Sequence, residues 1–331
     1  MNEKTFCLLL GILSFAVTVG VSFVLIPALR RRHAGQPILE IGPAWHLTKA
    51  GTPTLGGLAF IVGILLAALF GALYLFSLGR AREMGGVALV LLFALLCGAI
   101  GFADDYQKLA KKKNQGLTAP QKYLLQLVAS GVFLFLAVKL LGLETAVTVP
   151  FWGTRVELGV FYYPLALLYL TGIVNALNLT DGVDGLLATL VAVIAAFFLV
   201  FGFRFQIASC APLGALLLGA ALGFLCFNAH PAKVFMGDTG SLFLGGAVSG
   251  IGIVTGEWAL FLLASGVFVI EAISVMLQVV YFKITHGKRL FLMAPLHHHF
   301  EKRGWSEWRV VGVFALAGIA FAVIAFLGKG G

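Results

Sequence analysis

The sequence predicts an all-α, polytopic membrane protein, a bundle of ten transmembrane helices with both termini outside. Three observations carry this. Of 331 residues, 60% are hydrophobic and 11% charged, with a mean hydropathy of +1.01. A soluble domain is roughly 45–50% apolar and about 25% charged. Apolar runs recur at about 20 residues, the length that crosses a hydrocarbon core. The few basic residues fall unevenly between alternate loops.

Taken in order, the spans are 5–29, 55–78, 86–103, 123–143, 161–179, 185–203, 209–227, 240–258, 259–281 and 308–328. The first follows Met-Asn-Glu-Lys and lacks an Ala-x-Ala cleavage site, so it reads as a retained span rather than a signal peptide. The run 240–281 is too long for one crossing, and Thr255-Gly256-Glu257-Trp258 divides it, with Trp258 expected at an interface. Ten spans leave about 130 residues for loops. That is too few for a second soluble domain, so 1–331 reads as one integral-membrane domain. The four cysteines lie in apolar runs without metal-ligand spacing and read as small hydrophobes.

The formal charge of +9 reflects topology rather than nucleic-acid binding. Sixteen of the 23 basic residues fall in the loops after spans 1, 3, 5, 7 and 9, which marks those loops as cytoplasmic. All five aspartates and all seven histidines fall on or beside the same loops. The positive-inside rule does not govern Asp or His, so this face is built for chemistry.

Each loop has its own chemistry. After span 3, Asp104 and Asp105 stand where a helix leaves the bilayer, with Lys108 one turn from Asp104. Adjacent carboxylates near lipid favour a shared proton or a divalent cation. Lys111, Lys112 and Lys113 follow and suit anionic headgroups. After span 5 comes Asn175-Ala-Leu-Asn178-Leu-Thr-Asp181-Gly-Val183-Asp184-Gly, more Asn and Asp than a capped turn needs, but without the spacing of a calcium loop. After span 7, Phe235-Met-Gly237-Asp238-Thr-Gly240-Ser pairs glycines that admit a phosphate with an aromatic that could stack on a base. No Walker Lys follows. The first loop offers Lys49-Ala-Gly-Thr-Pro-Thr54 and the last Pro-Leu-His297-His298-His299-Phe-Glu301. Three successive histidines on a regular element diverge, so the segment must be irregular or the three must do different jobs. Inside span 9, Glu271 and Gln278 lie two turns apart on one helical face, and a buried ionisable group there is a functional candidate.

Together these five loops closely resemble those of the polyprenyl-phosphate N-acetylhexosamine-1-phosphate transferases. The histidine stretch and the Lys49–Thr54 loop narrow the likeness to the branch that acts on UDP-MurNAc-pentapeptide. It covers essentially the whole chain, with Val183 as a conservative departure from leucine. The resemblance implies a bacterial plasma-membrane enzyme of peptidoglycan synthesis. It would move phospho-MurNAc-pentapeptide from UDP-MurNAc-pentapeptide to undecaprenyl phosphate with Mg²⁺, at the cytoplasmic face of a ten-helix homodimer. It implies Asp104, Asp105 and Asp238 as catalytic and Mg²⁺-binding groups. Asn175, Asn178, Asp181, Asp184, Asn228 and Gln278 would line the substrate site, with Phe235 on uracil. Lys49, Thr54, Lys108 and Lys122 would meet phosphate, and His297, His298 and His299 the sugar-phosphate side.

The residues agree with that chemistry. Two anionic reactants, one soluble and one lipid-anchored, must meet at the interface, and their charges need a divalent cation and lysines. Hard metals want oxygen ligands, which the aspartates supply. Two other readings remain. A secondary transporter would place its charges at the midplane, where only Glu271 and Lys139 qualify. A sister transferase would use another UDP-N-acetylhexosamine, against which His297–His299 stand.

Overall fold

The protein is described from a computed structural model covering residues 1–31, 51–111 and 116–329. Lys49, Lys112 and Lys113 lie outside the described residues. The chain is an all-α membrane protein. Its long helices are α1 (Glu3–Arg31), α2 (Gly57–Ser77), α3 (Gly85–Lys111), α4 (Ala119–Leu141), α5 (Tyr162–Thr180), α6 (Leu186–Phe205), α7 (Cys210–Asn228) and α8 (Gly237–Thr255). Short α9 (Trp258–Ala264) leads into α10 (Gly266–Ile284), and short α11 (Leu296–Lys302) precedes α12 (Glu307–Gly328).

Among the described residues, nine helical stretches are long and apolar enough to cross a membrane. The tenth expected span, 240–258, is α8, which is not one of the nine. Its six glycines and Asp238 dilute its hydropathy. Yet every residue from Thr239 to Ile253 is buried. A helix buried on all sides needs small residues more than greasy ones, because backbones must approach it closely. α8 packs chiefly along α3 and α5, with α2 and α9 beside it.

The expected break near 255–258 is present, with Gly256 left-handed at φ 72° as the C-cap of α8. A second break at Ser265 divides the expected span 259–281 into α9 and α10. Trp258 packs inward: it is buried, its ring against Tyr162 and Tyr169. The sequence also gave no warning of a two-stranded antiparallel hairpin between α4 and α5, β1 (Ala146–Thr148) with β2 (Arg155–Glu157), paired through Val147 and Val156. Strands of three residues are too short for an alternation to register.

The crossing of α3 and α8 positions the site. A Cβ on Gly101 would lie 2.1 Å from the Asp238 carbonyl oxygen, so only glycine lets α3 reach the start of α8. Asp104 and Asp105 follow within one turn and are thereby delivered to Asp238.

Candidate active site

One end of the bundle collects the C-terminal ends of α3 and α5 and the N-terminal ends of α4 and α8. Asp105, fully buried, accepts from the backbone N–H groups of Asp238 (3.1 Å) and Thr239 (2.8 Å) and from the Thr239 hydroxyl (2.7 Å). It is the cap of α8, supplied from another helix, and a negative charge is favoured there. Both its oxygens are engaged, so Asp105 holds Asp238 in place rather than standing open.

Asp238 is the hub. Lys108 Nζ lies 2.8 Å and Lys122 Nζ 3.0 Å from its Oδ2, while Asn178 Nδ2 donates to its Oδ1 at 2.8 Å. The Asn178 amide also donates to Ser241 Oγ (2.8 Å), and its oxygen accepts from Lys122 (3.1 Å). Lys108 turns equally to Asp104 Oδ2 at 2.6 Å, and Asp104 Oδ1 accepts from the Leu117 N–H at 2.7 Å. Carboxylate oxygens of Asp104, Asp105 and Asp238 lie within 4.8 Å of one another. An all-oxygen set of this kind suits a hard divalent cation.

A second cluster surrounds the turn after α5. Asp184 Oδ2 meets His230 Nδ1 at 3.1 Å and accepts from the Ala232 N–H at 3.0 Å. Glu307 of α12 accepts from the Asp184 N–H (3.0 Å) and approaches His230 Nδ1 (3.4 Å). Asn228 accepts from the Gly185 N–H (3.2 Å) and donates to the Val234 carbonyl (2.9 Å). These contacts tie the 181–185 turn to the end of α7, the start of α12 and the loop carrying Phe235. Phe235 is half-buried, its N–H donating to the Pro53 carbonyl (2.9 Å) and its carbonyl accepting from the Gly56 N–H (2.8 Å). Thr54 is buried on the same strip.

Asp181 stands at the start of that turn, half-buried. Burial, reinforced by the charges of Asp238, Asp105 and Asp184, pushes its carboxyl up to about 8. Between the ordinary carboxyl value of 3.8 and about 8, the folded protein therefore holds a proton that the unfolded chain has lost. Stability should fall as pH rises through that window and level off above it. Asp181→Asn should not show this fall. Melting in detergent across pH 4 to 9 should favour the variant increasingly up to about pH 8. Parallel curves would contradict the protonated state.

Several expected substrate residues are engaged in the scaffold. Asn175 exchanges amide hydrogen bonds with Gln126 of α4 (2.6 and 3.3 Å) and donates to the Thr171 carbonyl (2.8 Å), one turn inward from Asn178. Gln278 accepts from the N–H groups of Leu290 (3.1 Å) and Phe291 (2.9 Å), holding the loop after α10. The three histidines lie in α11 and do three different jobs. His297 Nδ1 meets Glu271 (3.2 Å), His298 Nδ1 meets Glu301 (2.6 Å), and His299 Nδ1 accepts from the Leu292 N–H (3.1 Å). Burial, with the positive charge of Arg303, lowers the His299 pKa and suits that acceptor role. Gln126, His230, Ser241 and Glu307 were not expected as site residues from sequence. Thr239 and Ser241 belong to the Gly-Asp-Thr-Gly-Ser run, and Gln126 lies one turn from Lys122. Nothing local marked Glu307.

The chain matches the profile of glycosyl transferase family 4 over residues 87–256, most of α3 through α8 and the whole Asp104–Asp238 cluster. It is 47% identical over 327 residues to the phospho-N-acetylmuramoyl-pentapeptide-transferase of Halalkalibacterium halodurans, covering 98% of each chain. The enzyme of the same name from Shouchella clausii is 45% identical over 324 residues, 98% of this chain and 97% of the relative. That from Oceanobacillus iheyensis is 44% identical over 325 residues, 97% of each. With its aspartates, lysines and asparagines drawn into one site, and this identity over nearly its full length, the chain belongs to the phospho-N-acetylmuramoyl-pentapeptide-transferase family.

Proposed function

We propose that the protein transfers phospho-MurNAc-pentapeptide from UDP-MurNAc-pentapeptide to undecaprenyl phosphate, yielding lipid I and UMP. The observation that carries this is the Asp238 carboxylate, clamped by Lys108, Lys122 and Asn178 at the end of the bundle and facing Asp104 across one ammonium. In a single displacement, an oxygen of the lipid phosphate bonds to the sugar-linked phosphorus. The bond from that phosphorus to the bridging oxygen breaks, and UMP departs. Little covalent work falls to the protein, which must bring two anions together and place charge where they meet.

The oxygen donors of Asp238 and Asp104 fit Mg²⁺, with Asp105 fixing Asp238 from behind; the ion would neutralise diphosphate charge. Lys108 and Lys122 receive phosphate oxygens, and Asp104 orients the lipid phosphate. The turn from Asp181 to Asp184, with Asn228 and Phe235, forms the nucleotide end, where the half-buried Phe235 ring stacks on uracil. The excess of basic residues in alternate loops supports a ten-span bundle with this end in the cytoplasm and both termini outside.

The test is UMP release by purified protein with undecaprenyl phosphate and Mg²⁺. Release with UDP-MurNAc-pentapeptide but not with UDP-GlcNAc is the expected result. Release with UDP-GlcNAc alone would make this a sister transferase.

A further inference from the structure

Glu271 and His297 are each completely buried, one in α10 and one in the first turn of α11. The Glu271 carboxylate accepts from the His297 backbone N–H (3.2 Å) and faces its Nδ1 (3.2 Å). A carboxylate at Nδ1 holds a proton on that nitrogen and fixes the ring's orientation. That Nε2 is buried and has no hydrogen-bond partner among the described residues. It faces the Gly182 backbone: a Cβ on Gly182 would lie 2.2 Å from His297 Nε2 and 3.1 Å from His298 Nε2. The φ of Gly182 is unremarkable, so its lack of a side chain serves proximity alone. The imidazole edge is thus pressed onto the backbone between Asp181 and Asp184.

We propose that Glu271 is a positioning residue: through His297 it seats α11 on the Gly182 turn, and so fixes the nucleotide-binding geometry of that turn. This deepens the proposed function and rests on it, since the turn is assigned there to the nucleotide end. His297 accordingly acts on the protein's own backbone and not on the sugar-phosphate. A buried carboxylate that only filled space would be replaceable by a neutral group of any shape. One that aims an imidazole requires an acceptor at the same place.

The test compares Glu271→Ala, Glu271→Gln, His297→Ala, Gly182→Ala and the Glu271→Ala/His297→Ala double variant, as full chains in detergent. For Glu271→Ala the KM for UDP-MurNAc-pentapeptide should rise about 10–100-fold, with kcat changed by less than about threefold, because a small misplacement is felt in binding geometry. Glu271→Gln keeps the shape but only one of the two acceptor oxygens, so its KM should lie between those of wild type and Glu271→Ala. The double variant should be no worse than His297→Ala, and Gly182→Ala should reproduce the KM effect with both partners intact. Multiplying effects in the double variant, a loss confined to kcat, or a normal KM for Gly182→Ala would each overturn the proposal. Should wild type release no UMP, the functional reading fails on its own. The brace is then judged by melting temperature, where non-additive losses from Glu271→Ala and His297→Ala support it and additive losses overturn it.

Discussion

Asp238→Asn should lower turnover by at least about a thousandfold, about 4 kcal/mol of transition-state stabilisation, while the protein stays folded. The substitution is isosteric, so the contacts with the Asp105-capped α8 backbone are untouched. Asn178 can still donate to the remaining oxygen. Lys108 keeps Asp104 as a partner at 2.6 Å, and Lys122 keeps the Asn178 oxygen at 3.1 Å while losing its carboxylate. What is lost is one of the two anionic oxygens that Lys108 bridges, and with it the strongest hard-cation donor of the site. The measurement is UMP release at saturating Mg²⁺ beside a melting curve. Near-normal turnover in a well-folded variant would remove Asp238 from the chemistry, and a collapsed melting curve would show that its role is in folding.

Sequence reasoning reaches such a residue by composition, and its limits are equally physical. Hydropathy located the long helices because lipid selects continuous apolar runs. It was weakest at α8, the helix that carries Asp238, where close packing selects glycine over leucine. The aspartates were legible because so few charges exist in the chain that their gathering on alternate loops has no topological cause. Their division of labour was not. Asp104 and Asp105 are neighbours in sequence, yet Asp105 caps α8 while Asp104 shares a lysine with Asp238. Which does which depends on the crossing at Gly101, a contact between residues far apart in the chain.

The same separation hides the partners that polar residues near the site already have within the fold. Asn175, Gln278 and Asn228 are polar groups near a site, and a sequence shows that without showing what else they face. Asn175 has Gln126 opposite it on α4; Gln278 has a returning loop above it. Buried or half-buried polar groups must be satisfied by something, and the fold often satisfies them before a substrate arrives. The histidine triplet leaves two options open from sequence, an irregular segment or three different jobs; α11 is helical and spreads the three side chains to different partners. Their individual partners, Glu271, Glu301 and the Leu292 N–H, needed the packing of α10 against α11.

Lys108→Met should produce the second large loss and an apparent paradox beside it. The Lys108 ammonium sits 2.6 Å from Asp104 and 2.8 Å from Asp238, in the space between two carboxylates where a divalent cation would be drawn. In this arrangement the lysine competes with the metal for the same oxygens. A divalent cation held by Asp104 and Asp238 would take the place of the ammonium and leave Lys108 for a phosphate oxygen. Methionine conserves the apolar stem and removes only the charge. Turnover should fall about 10²–10³-fold, because a cation aimed at transferring phosphate is lost. The Mg²⁺ concentration giving half-maximal rate should nonetheless decrease, since no ammonium now bridges Asp104 and Asp238, and only Lys122 still holds Asp238. Lys122→Met offers the contrast: Lys122 touches Asp238 but not Asp104 among the described contacts, so turnover should fall while the Mg²⁺ midpoint moves less. Titrating Mg²⁺ against UMP release for the three proteins after chelation measures both quantities. A midpoint that rises in Lys108→Met would show that the ammonium assists the metal instead of standing in for it. The two carboxylates would then need Lys108 in place when the ion is bound.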